Sequence, residues 1–62
     1  MTLARAQKVA RHASRDGESR YVLYDDSTGT RHPWHVARDA DLYQFYAGCK
    51  PHYVYAGGRE DV

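Results

Sequence analysis

All eight aromatic side chains of this chain fall between Tyr21 and Tyr55, and the first twenty residues contain none. That split constrains the fold more than any other feature. In a chain of 62 residues, only about 60% of the unfolded surface can be buried, and aromatic rings supply much of the area available for burial. The aromatic stretch must therefore build the platform, and the alanine-rich, basic N-terminal stretch must lean on it. A core this small leaves little net stability, which is why scaffolds of this size often recruit staples, metals or partners. Cys49 is the single cysteine, so no disulfide can form within the chain, and a lone thiol predicts a reducing cytoplasm. Frequent alanine, arginine in excess over lysine, and the lack of isoleucine and asparagine predict a bacterial or phage origin.

The N-terminal stretch has helical chemistry over residues 2–15. Thr2 is an N-cap candidate and Asp16-Gly17 a stop, with no glycine, proline or aromatic residue between them. Leu3, Ala6, Ala10 and Ala13 share one stripe with Val9 beside it, while Arg5, Lys8, Arg11, His12 and Arg15 point elsewhere. The alanines bury little, so Leu3 and Val9 are expected to anchor the helix. Residues 19–25 are strand material between Gly17 and an Asp26-Ser27-Thr28-Gly29 turn. A return strand is expected over 30–37, with Pro33 making it an edge strand or breaking its start. For 39–48 a short helix is favoured over a strand. Asp39 serves as N-cap, Asp41 suits the first turn, and Gly48 terminates. A last strand runs from His52 to Ala56, and residues 58–62 read as a mobile tail on a single domain of residues 1–57. The predicted fold class is α+β: an N-terminal helix packed on a three-stranded antiparallel sheet, in the order α-β-β-α-β.

The formal charge is +1, but it is unevenly spread. Residues 1–20 carry five Lys/Arg against two acids, a balance of +3, and residues 21–62 carry −2. Arg5, Lys8, Arg11 and Arg15 make the helix a candidate nucleic-acid contact, since guanidinium groups pair bidentately with phosphate; Tyr24 would add a ring for base stacking. The near-neutral total and the lack of any nucleic-acid-binding motif favour a solvated face instead.

A second constellation is His32-Pro-Trp-His35 followed, after 13 intervening residues, by Cys49-Lys-Pro-His52. One thiolate and three imidazoles suit tetrahedral zinc, although structural sites usually hold two or more cysteines. No other cofactor is expected. Catalytic motifs are missing: there is no Gly-x-x-x-x-Gly-Lys loop, Gly-x-Ser-x-Gly elbow or Gly-x-Gly-x-x-Gly turn. The acids of Asp25-Asp26-Ser27-Thr28-Gly29 lack the glycine position and the following glutamate of a calcium loop.

The six tyrosines carry phenol hydroxyls that need polar partners when buried, so some are expected at the surface. With Leu23, Trp34 and Val36 facing the helices and Phe45 in the core, Tyr24 and Tyr53 or Tyr55 would line the open face of the sheet. Tyrosine beside arginine is the chemistry of protein interfaces. The sequence thus predicts a non-enzymatic interaction module that binds another protein, or itself, through Tyr24, Tyr53, Tyr55, Arg11 and Arg15. The alternatives are a nucleic-acid-binding regulator using the basic helix and a zinc-stapled domain. No run is apolar enough to cross a bilayer, and no signal-peptide pattern is present. No membrane partner is expected.

Overall fold

The structure is a computed structural model that describes residues 1–61 except Thr28 and Thr30. It is an α+β fold in which an antiparallel sheet carries a helix on one face. Helix α1 (Leu3–Ala13) starts at Thr2, whose Oγ1 accepts the Arg5 N–H at 3.2 Å. It tightens into a 3-10 turn over Ser14–Asp16 and stops at Gly17, where φ is +94°, a conformation that costs glycine little. Strand β1 (Arg20–Tyr24) follows, then β2 (Trp34–Ala37), helix α2 (Asp39–Gln44), β3 (Pro51–Ala56) and β4 (Arg59–Glu60). Among the described residues, no helix is long and apolar enough to cross a membrane.

The sheet order is β2-β1-β3-β4, with every pair antiparallel. Strand β2 is an edge and begins just after Pro33, whose ring nitrogen has no hydrogen to donate to a ladder. The sequence predicts three strands, and the described residues form four. The additional one lies within the stretch anticipated as a tail: Gly57 and Gly58 turn with φ of +62° and +82°, and Arg59 and Glu60 pair with Ala56 and Tyr55. Ser14 ties this turn to the helix. Its Oγ donates to the Arg11 carbonyl and accepts the Gly58 N–H, both at 2.9 Å, and its own carbonyl accepts from Gly57. The side chain is fully buried, so those part-buried bonds face little competition from water.

Side chains alternate across a strand, and residues directly opposite in an antiparallel pair share a face. Val22 opposes Val36 and Tyr53, Tyr24 opposes Trp34, and Arg20 opposes Tyr55. These residues lie on the α1 side, where Ala6 and Ala10 meet Val22 and Tyr55 in the buried core, with Leu3, Trp34, Val36 and Tyr53 packed around them. The alanines let the helix backbone come close; the area comes from the sheet. Val9 does not anchor the helix as expected. It lies with Arg5, Lys8, His12 and Ala13 along an outward groove.

The other face carries Tyr21, Leu23, His35, Ala37 and Val54. Leu23 and Ala37 are sealed there, because α2 and the turn after it fold back over β2. The favoured helix in 39–48 forms, but it is shorter and its N-cap is Arg38 rather than Asp39. Asp41 accepts the Arg38 N–H at 3.2 Å. The helix ends at Gln44 with Phe45 as its C-cap, and the Tyr46 ring packs against His35, with centroids 5.4 Å apart. The Tyr46 carbonyl then accepts from Cys49, which redirects the chain into β3.

Candidate functional site

The anticipated tyrosine–arginine surface is divided by this register. Tyr24, Tyr53 and Tyr55 do not line an open face; they lie under and beside α1. Tyr55 is 1% exposed, which removes it as a partner-binding residue. Arg11 comes over its ring, 5.9 Å from the centroid, as a cation–π contact that covers the ring. Tyr53 is half-buried against the core. Tyr24 is 43% exposed and packs edge-on against Trp34 at 5.2 Å. Arg15 is exposed and lies against the Gly58 turn. Leu23 is a core residue as expected, but on the face opposite Trp34 and Val36.

The two histidine-containing pairs do not converge either. His35 stacks on Tyr46 on the α2 side, whereas His52 meets Trp34 edge-on at 5.3 Å on the α1 side, so the sheet stands between them. Cys49 belongs to the α2 side, and the His32 carbonyl accepts from the Met1 amine at 3.3 Å. Among the described residues, no three His, Cys, Asp or Glu side chains group to hold a metal ion.

The structure instead exposes two aromatic residues that the sequence does not single out. Tyr43 is 85% exposed and Phe45, expected in the core, is 70% exposed. Both result from the shortness of α2. Leu42 and Tyr46, four residues apart, take the inward side, and Tyr43 and Phe45 fall on either flank of that direction. The spacing is a sequence signal, since a helix this short presents only one side to the sheet. The end of the helix at Gln44 carries no such signal.

On the Tyr43 flank is an open groove of about 380 Å³, lined by Tyr21, Asp39, Leu42, Tyr43, Tyr46 and Cys49; Phe45 stands outside it. Three tyrosines stand in its walls, and Asp39 is the charged group among them. The Asp39 carboxylate beside the Tyr21 phenol, as acceptor for its hydroxyl and as a negative charge, raises the phenol pKa above its ordinary value, with desolvation adding to the effect. From Asp39 to Cys49 the chain has two acids and no Lys or Arg. Asp41 is paired with Arg38 at 3.7 Å, so Asp39 supplies the negative charge of this aromatic face.

The opposite face is positive. Residues 1–15 contain no Asp or Glu, and Arg5, Lys8, Arg11 and Arg15 are all exposed. The ion pairs of the described residues lie elsewhere, joining Arg20 to Asp16 at 2.6 Å and to Glu18 at 3.8 Å, and Arg38 to Asp41 at 3.7 Å. No family model, curated protein or solved structure matches this chain.

Proposed function

We infer that the chain is a non-enzymatic binding module that docks a protein segment bearing basic side chains onto the aromatic, acidic face formed by residues 39–49. The observation that carries this reading is the exposure of Tyr43 and Phe45 in a protein whose helix α1 adds only Ala6 and Ala10 to the fully buried core cluster. Large rings left in water are available for contact with a partner. Charge complementarity selects the partner: an arginine or lysine over a tyrosine or phenylalanine ring gains cation–π attraction, and Asp39 lies in the adjoining groove to pair with it.

The test is an amide chemical-shift titration with a peptide of alternating arginine and leucine, and with the same peptide carrying glutamate in place of arginine. The arginine peptide should move the amides of residues 39–49, and Tyr43→Ser with Phe45→Ser should abolish the response. Equal responses to both peptides, or none at these residues, would refute the reading. Light scattering across protein concentration identifies the partner's source. A dimer dispersed by the two serine substitutions makes it a second copy, whose own α1 is such a basic segment, and a monomer makes it a foreign protein.

A further inference from the structure

We propose that the outer face of α1 is a second binding surface, on the other side of the sheet, that docks along the phosphate backbone of duplex nucleic acid. The near-neutral total charge conceals how the fold sorts charge. Helix α1 packs on one face of the sheet through Ala6 and Ala10, while the acids of α2 are carried on the other face. A polyanion approaching α1 meets Arg5, Lys8, Arg11 and Arg15 with no carboxylate among the first fifteen residues, and none of these four is held in an ion pair among the described residues. The cationic row runs from Arg5 on α1 to Arg15 in the 3-10 turn that follows it, ten steps along the chain or about 15 Å at a helical rise of 1.5 Å per residue. Successive phosphates along a strand advance about 3.4 Å on the duplex axis, so a row of that length held parallel to the axis passes about four phosphates, one for each cation.

Two of the arginines are already positioned. Arg11 rests over the Tyr55 ring. The Arg15 stem lies across Gly58, so close that a Cβ there would fall 2.9 Å from its Cγ. Stems supported in this way lose less side-chain freedom on binding than free ones. The duplex is favoured over a lipid surface because the outward groove of α1 offers Val9 and no aromatic residue for insertion. It is favoured over an acidic protein segment because three of the four cations are arginines, the side chain preferred in nucleic-acid recognition, and because a duplex presents phosphates at regular intervals over the whole length of the row.

The experiment measures fluorescence anisotropy of a labelled mixed-sequence DNA duplex against the full chain at several salt concentrations. Four neutralised phosphates, each contributing about −0.9, predict a slope near −3.6 in log K against log salt, or roughly a hundredfold loss of affinity from about 50 to about 200 mM. Arg5→Gln and Lys8→Gln should each reduce the slope by about 0.9, while Arg5→Lys retains the charge and the slope. Tyr43→Ser and Phe45→Ser should leave duplex binding unchanged, which separates this surface from the α2 docking face. Three results would overturn the proposal: no anisotropy change at the lowest salt, a slope insensitive to the glutamine variants, or tighter binding to phosphatidylserine vesicles or polyglutamate than to the duplex.

Discussion

Replacing Ser14 by alanine removes one buried oxygen and should detach the C-terminal turn from the helix. Ser14 Oγ makes two hydrogen bonds of 2.9 Å, one to the Arg11 carbonyl and one from the Gly58 amide. The helical carbonyl loses a supplementary donor, which is a small effect. The Gly58 amide loses its acceptor in a part-buried position, and leaving such a donor unsatisfied costs about 1–3 kcal/mol. In a domain of this size each kcal/mol lowers Tm by roughly 4–8 °C, so a midpoint drop of about 4–16 °C is expected from the middle and lower part of that energy range. Circular-dichroism melts of the full chain measure it. Amide exchange should locate it, with Gly58, Arg59 and Glu60 exchanging faster while the amides of β1 respond only to the global loss of stability. A Tm within about 2 °C of the parent, or unchanged exchange at Gly58, would show that the turn is not held by this serine.

Other perturbations test separate parts of the structure. Leu23→Ala empties a fully buried position on the α2 side and should cost about 2–5 kcal/mol, enough to leave much of so small a domain unfolded in a denaturant titration. Gly58→Ala forces an L side chain to adopt φ of +82° with its Cβ against the Arg15 stem; it should destabilise by more than about 1 kcal/mol, whereas alanine at the exposed helical position Gln44 should be close to neutral. Tyr43→Ser and Phe45→Ser should leave Tm nearly unchanged while removing peptide binding, because both rings are mostly in water. Two pH effects have opposite signs. The Asp16 carboxyl is held below its ordinary value of 3.8 mainly by its hydrogen bond to Arg20, assisted by the Glu18 amide. Its contribution is therefore present above that value and fades as pH falls through the lowered folded pKa. Tyr21, with its pKa raised above 10.0 by the bond to Asp39, contributes fully below pH 10.0 and loses that contribution as pH rises through its folded value. Acid and alkaline melts of Asp16→Asn and Tyr21→Phe, compared with the parent, check both.

The elements set by neighbouring residues were legible in the sequence. Thr2 and Gly17 bracket α1 as their capping chemistry requires, the aromatic and branched run Arg20–Tyr24 is a strand, and Pro33 precedes an edge. The lack of acid along α1 likewise makes its outer face basic wherever the helix packs. These signals act over one helical turn or along one strand. Tertiary structure decided which residues of one kind were buried and which were exposed. Tyr55 is sealed and Tyr43 stands in water, although both are tyrosines in aromatic surroundings, because the register of β3 on β1 and the inward turn of Tyr46 assign them to different sides. The fourth strand has the same origin. Gly57-Gly58-Arg59-Glu60 lacks the apolar run that marks a strand, and it is held by an amide that meets a serine hydroxyl 44 residues away in the chain. A hydrogen bond of that reach forms only after the helix has settled on the sheet, so its partners carry no local mark of one another.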